Sequence, residues 1–149
     1  MARAATRIDG LDELRKTLRD VSPAEGTRIA RRTVTRIARE VRDATRNRAP
    51  VDSGSLRRSI KSKRSRGQPG EAEAEVYVDR SGGRSGSGYH FHLLEWGTVK
   101  MPAQPFVTPT VEEYRPKVPA MYRDKWWAEY KKEMEKRAKK QAARQRRSR

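Results

Sequence analysis

No residue limits what this chain of 149 residues can fold into more than Pro50. Proline disfavours helical geometry in the residue before it, so a helix arriving from the N-terminal side must stop at Ala49. Asp52-Ser53-Gly54 then supplies turn chemistry, two short side chains that bond local backbone and a residue tolerant of positive φ. Before this break the sequence has helical periodicity. After it the pattern turns to alternation, glycine and proline. Leu56 and Ile60 stand four apart, with Arg57 and Arg58 beside Leu56. Read locally, the stretch is a basic connection from a helix to a strand.

Upstream, residues 1–8 form a short basic lead. Leu11, Leu14 and Leu18 have the three-and-four spacing of a short amphipathic helix. Ser22-Pro23 ends it and opens the next, with Ser22 a suitable N-cap and Pro23 in the first turn. This second helix is expected over about Pro23–Arg48. Ile29, Val34, Ile37, Val41 and Ala44 fall near one stripe, and Arg28, Arg32, Arg39, Arg42 and Arg46 lie largely off it. Such a helix puts its stripe in the core and its arginines in solvent, or against nucleic acid.

Downstream, Leu56–Lys63 reads as a strand or a turn plus strand, and Lys61–Gly70 as a basic loop. Glu71–Asp79 alternates, with Ala72, Ala74, Val76 and Val78 on one face and Glu71, Glu73, Glu75 and Tyr77 on the other, which is the clearest strand in the chain. Ser81–Gly88 is a glycine-serine loop without the lysine of a phosphate-binding loop. Tyr89–Thr98 reads as a strand or short extended segment ending at Gly97. Pro102, Pro105 and Pro109 exclude a regular helix across Met101–Thr110, and Pro116 and Pro119 make Val111–Pro119 a poor one. A strong helix is expected from Ala120 to about Gln145, with Tyr122, Trp126, Tyr130 and Met134 as an i, i+4 stripe. Residues 131–149 hold ten Lys/Arg against two Glu. The aromatic half of this helix is expected to dock and the basic half to project.

Hydrophobic residues make up 34% of the chain and charged residues 37%, a thin apolar supply for one core at this length. Part of the chain is therefore expected to stay out of the core or to be buried on assembly. The formal net charge of +17 calls for polyanionic surroundings. With no cysteine, disulfides and thiolate chemistry are excluded. No apolar run approaches the roughly 18 residues of a membrane span, and no signal-peptide apolar region is present, so a cytoplasmic site of synthesis is expected. His90 and His92, two apart in a strand and near Glu95, would share a face, but no further ligand cluster accompanies them. No catalytic set, cofactor motif or metal set stands out, so function must lie in surfaces and assembly.

Three blocks carry a resemblance. Ala49-Pro50-Val51-Asp52-Ser53-Gly54-Ser55-Leu56-Arg57-Arg58-Ser59-Ile60 resembles an A-P-V-D-T-G-x-L-R-x-S-I block. Tyr89-His90-Phe91-His92-Leu93-Leu94-Glu95-Trp96-Gly97-Thr98 resembles Y-A-x-x-x-E-F-G-T. Met101-Pro102-Ala103-Gln104-Pro105-Phe106-Val107-Thr108-Pro109-Thr110 resembles M-P-A-x-P-F-L-x-P-A. Together with the opening Ile8-Asp9-Gly10-Leu11-Asp12-Glu13-Leu14, they resemble the neck or tail-completion proteins, also called head–tail connector proteins, of long-tailed double-stranded DNA phages. The likeness covers roughly residues 8–115. Ser53 replaces the usual Thr, Trp96 the usual Phe and His90 the usual Ala. The basic C-terminal helix lies outside the pattern.

The resemblance implies an α+β subunit without enzyme activity, assembling as a ring, expected to be a hexamer, at the junction of capsid and tail. The expected fold has N-terminal helices including one long helix, a small antiparallel sheet and a long basic C-terminal helix, divided as residues 1–118 and a helical extension 119–149. Structural or interface roles are expected for Pro50, Asp52, Gly54, Leu56, Arg57, Glu95, Trp96, Gly97, Pro105 and Phe106, with Trp96 and Phe106 buried. Contacts to DNA in the channel or to acidic neighbouring neck and tail proteins are expected from Lys131, Lys132, Arg137, Lys139, Lys140 and Arg144. Localisation is expected in the virion, with assembly in the host cytoplasm. A basic nucleic-acid-binding protein without catalytic activity is the alternative.

Overall fold

The computed structural model describes residues 21–65, 68, 70–81, 88 and 90–147. The expected helix around Leu11–Leu18 and most of the Ser81–Gly88 loop lie outside them. Helix α1 spans Pro23–Arg48. It begins on Pro23, whose missing N–H is one of those a first turn leaves unpaired in any case. Ser22 occupies the N-cap position, yet its side chain makes no capping bond; its carbonyl accepts from the N–H groups of Glu25 and Gly26 at 2.9 and 3.0 Å. At the far end Ala49 is extended, φ −59° and ψ 133°, as the following Pro50 requires. Thr33 and Thr45, buried on α1, donate their hydroxyls to the carbonyls of Ile29 and Val41. Neither leaves a buried polar atom unpaired.

Past the break, Gly54 takes φ +71° and a single helical turn follows, α2 at Ser55–Ser59. It leads into strand β1, Ile60–Arg64, which pairs antiparallel with β2, Ala74–Val78, in the register Ile60↔Val78, Ser62↔Val76, Arg64↔Ala74. The basic stretch from Lys61 thus begins as strand. Directly opposite, Lys63 and Glu75 pair at 2.8 Å, and Lys61 meets Asp79 at 2.5 Å. Each opposite-charge pair adds to the ladder. Lys61 and a backbone N–H from Ser81 hold the Asp79 carboxyl down at about 2.

Two segments differ from expectation. The apolar run after His90 forms helix α3, Phe91–Trp96, where a strand was expected. Short apolar runs do not separate strand from helix by periodicity. Here Phe91 and Leu94, three apart, pack against the same core, and Gly97 at φ +74° ends the helix. His90 and His92 consequently do not share a strand face. Among the described residues no cluster of His, Cys, Asp or Glu could hold a metal ion.

No helix runs across the proline-rich segment up to Phe106, but its end turns helical, as the start of α4 at Val107–Tyr114. Pro109 is its third residue, where a first turn has no intrahelical acceptor for an N–H. The same holds for Pro119, second residue of α5, Val118–Arg147. Proline here marks helix starts.

Two small cores result among the described residues. Ala49, Leu56, Ile60 and Phe106 are buried together beneath Val76, Val78, Phe91, Leu94 and Val107. Ile29 and Trp126 form the second, flanked by Tyr122, Trp127 and Tyr130, with Trp126 stacked on Tyr130 at 5.4 Å between ring centroids. This second core seats α5 antiparallel on α1. Ion pairs follow the same direction: Lys125 with Glu40, Arg36 with Glu129, Arg32 and Arg28 with Glu133, and Arg137 with Glu25.

Candidate functional site

The blocks around Pro50, Glu95 and Phe106 come together as one frame. Its centre is the Glu95 carboxylate, 5% exposed. Oε2 accepts from the N–H groups of Phe106 at 2.9 Å and Val107 at 3.0 Å, and Oε1 from Thr108 at 2.7 Å. These are N–H groups that the start of α4 leaves without a helical partner. A carboxylate also complements the positive end of the helix dipole. Burial pushes the Glu95 carboxyl up, and the N–H bonds from Phe106, Val107 and Thr108 outweigh it, leaving it below its ordinary value. The cap needs a close return of the chain, which Gly97 permits. A Cβ there would lie 2.7 Å from the Ala103 nitrogen and 3.0 Å from the Met101 carbonyl. Thr98 and Met101 exchange backbone hydrogen bonds across the intervening tight turn, and Gln104 donates to the Leu94 carbonyl at 2.7 Å.

Arg57 serves the other block. Its Nε donates to the Ala49 carbonyl at 3.2 Å and its Nη2 to the Asn47 carbonyl at 3.3 Å. It thereby caps the C-terminal end of α1 with a cation, where the dipole favours one. Gly54 supplies the positive φ, and Leu56 is core. The Ser53 hydroxyl makes the local bonds of this turn, to Ser55, while exposed Asp52 makes none among the described residues. Arg48 ties the end of α1 to α4 through Thr110, at 3.2 Å, and Glu113. Pro50, Val51, Gly54, Leu56 and Leu94 line a cleft of about 280 Å³ between the two blocks.

Phe106 is fully buried and fills the pocket under Leu56 and Ile60, with Pro105 beside it exposed. Trp96 contradicts its expected burial, being 73% exposed. The reason is helical geometry. Glu95 must face inward to reach α4, and its neighbour is turned about 100° away from it. Trp96 and fully exposed Val99 are therefore large apolar groups at the surface of a rigid frame.

The basic face resolves into two parts. Arg28, Arg32 and Arg36, with the i, i+4 spacing of one α1 face, are engaged by Glu129 and Glu133, which are buried and also four apart. That pairing is what the arginine-rich back of α1 serves, together with Arg42 and Arg46, which bond Ser62 and the Ile60 carbonyl of the hairpin. Sequence reasoning missed the two glutamates. Their spacing within an otherwise basic helix was the available signal. Removing Glu133 leaves two arginines without a counter-charge beside the second core, so Glu133→Ala is expected to lower stability by about 1–3 kcal/mol, read from urea unfolding. Of the basic contact candidates, Arg137 pairs with Glu25, and Lys132 lies 4.0 Å from Glu129. Lys131, Lys139, Lys140 and Arg144 are exposed. At 100° per residue, Lys136, Lys139, Lys140, Arg144 and Arg147 fall on one side of the distal helix, and Ala138, Ala142 and Gln145 on the other.

Among the described residues, no helix is long and apolar enough to cross a membrane. No curated protein and no solved structure matches the chain significantly. The family described as bacteriophage HK97 gp10-like tail components matches residues 12–97, more than half of the chain and most of the frame built on Gly54, Arg57 and Glu95. The chain therefore belongs to the HK97-gp10-like family of bacteriophage tail components.

Proposed function

We propose that the protein is a structural subunit of the phage neck that assembles as a ring, a hexamer, and joins or completes the tail at the head–tail junction. The observation that carries this reading is Trp96, a large aromatic held in solvent beside the Glu95 cap and the Gly97 turn, with exposed Val99 close by. Exposed aromatics on rigid supports are the usual anchors of protein interfaces. The small cores support it too, since a subunit with little apolar material gains stability by burying more on assembly. On this reading residues 1–118 form the neck domain and residues 119–149 its helical extension, of which the first half docks on α1 and the distal half is the basic arm. The role is one of assembly rather than catalysis, in the virion after assembly in the host cytoplasm.

The distal part of α5 favours a second contact. Beyond Arg137, Lys139, Lys140 and Arg144 are exposed on a helix with no aromatic or large aliphatic residue in that stretch. Protein interfaces centre on such apolar anchors and are depleted in lysine. A lysine- and arginine-only face suits phosphates, so DNA in the channel is the partner it fits better than an acidic neighbouring protein. This contact alone would be the whole function of a basic nucleic-acid-binding protein. Native mass spectrometry of the purified protein, with reconstruction of the virion neck, separates the readings. A closed ring in either supports the neck role; a monomer in the neck overturns it. Truncation after Ala138 spares the docked half of α5. It is expected to leave rings intact and to abolish tail joining in complementation, and normal infectious particles would reduce the arm to a solubilising tail.

A further inference from the structure

The C-terminal half of α1 floors an open apolar groove of about 620 Å³. Val34, Ile37 and Val41 form its base, Val76 of the hairpin one wall, and Val111 and Val118 the other. It adjoins a smaller recess of about 220 Å³ that shares Val41, Val76 and Val111. Val111 remains 51% exposed at the groove's edge. A patch of this kind on a thinly cored domain calls for a partner.

We propose that the occupant is the leucine stripe Leu11, Leu14 and Leu18 of a neighbouring copy, so that each subunit straps onto the next; this rests on the ring reading above. Two observations point to that segment, and a third to whose copy it is. The family match starts at residue 12, so Leu14 and Leu18 belong to the shared domain rather than to a variable tail. Glu73 stands on the hairpin side of the groove, beside Glu75, which Lys63 already pairs, and Arg15, Lys16 and Arg19 accompany the leucines. The geometry then selects the neighbour. The chain enters α1 at Val21, buried at its N-terminal end. Val34 lies 13 residues along the helix, about 20 Å away, and Val41 about 30 Å. If the leucine spacing makes this segment the helix it predicts, folding back from Val21 would carry Leu18, Leu14 and Leu11 only about 5, 10 and 15 Å. A stripe docked in that form would stop short of its own groove. A neighbour's stripe carries no such restriction.

The absence of native cysteine makes the test direct. Chains carrying Leu14→Cys are mixed with chains carrying Val111→Cys, assembled and oxidised, and the double variant is treated alike. Circular dichroism first checks that each remains folded. The proposal expects a disulfide-linked heterodimer from the mixture, and from the double variant a ladder of covalent multimers with loss of the monomer band. A double variant closed into an internally bridged monomer overturns it, placing the segment in its own groove. Rings seen by native mass spectrometry without any cross-link also overturn it while leaving the ring standing, and point to another protein in the groove. A chain that assembles neither alone nor in the virion overturns both.

Discussion

Phe106→Ala is expected to cost about 3–5 kcal/mol, the range for truncating a fully buried aromatic. Domains of this size are stable by only about 5–15 kcal/mol, so the variant should unfold at a much lower urea concentration or fail to accumulate in soluble form. The cost lies at the upper end because the surroundings cannot collapse into the gap. Ala49 is pinned by the end of α1 and Pro50, Leu56 by a single helical turn, and Ile60 by the first pair of the β ladder. Each neighbour is fixed by backbone hydrogen bonds rather than by packing alone. Trp96→Ala is the internal contrast. A side chain 73% exposed contributes little to the fold, and this variant should stay within about 0.5 kcal/mol of the parent. Its deficit should appear in ring formation or tail joining. Two aromatics ten residues apart should thus separate stability from assembly. Equal melting of the parent and Phe106→Ala would refute the placement of the first core. Collapse of Trp96→Ala would refute the exposure of Trp96.

Legibility in the sequence follows the range of the interaction responsible. Helix α1 could be read to the residue because Pro23 and Pro50 act on their immediate neighbours and the apolar stripe between them is periodic. Strand β2 could be read because Ala74, Val76 and Val78 alternate with Glu75 and Tyr77. The frame is a different matter. That Phe91–Trp96 is helical is decided by Glu95 reaching the start of α4 eleven to thirteen residues on, which local periodicity does not report. Pro109 and Pro119 look like breakers when their missing N–H is weighed without their position, yet both sit in first turns. Arg28 and Arg32 have the same local signature whether they face solvent, phosphate or Glu133; only the docking of α5 distinguishes these. Trp96 marks the limit of arguing from a motif. The resemblance located a residue of consequence, while its side of the helix was set by its neighbour.

Glu95 carries the second large effect, and its pH dependence makes the expectation specific. Glu95→Ala removes the acceptor for three N–H groups at the start of α4, one of them on fully buried Phe106. Hydrogen bonds to a charged group contribute about 1.5–3 kcal/mol each, and water entering the emptied site recovers part, so a net loss of about 3–4 kcal/mol is expected. Glu95→Gln should lose a smaller part, because its amide oxygen can still accept from two of the N–H groups while its NH2 faces the third and the charge is gone. The sign with pH follows from the carboxyl being held below its ordinary 4.5. The folded protein then binds the proton less readily than the unfolded chain, so the contribution is fully present above about pH 4.5 and is lost as pH falls through the folded value. Urea unfolding of parent and Glu95→Gln from pH 7 to pH 3 should therefore show a constant gap down to about pH 5 and a narrowing gap below it, driven by the parent losing stability. A gap unchanged at pH 3 would mean that Glu95 acts by filling space, with its charge idle. Loss of the cap should also release α4 and with it the Arg48 bond to Thr110, so the variant's amide exchange should rise first across Val107–Tyr114 and only later in α1.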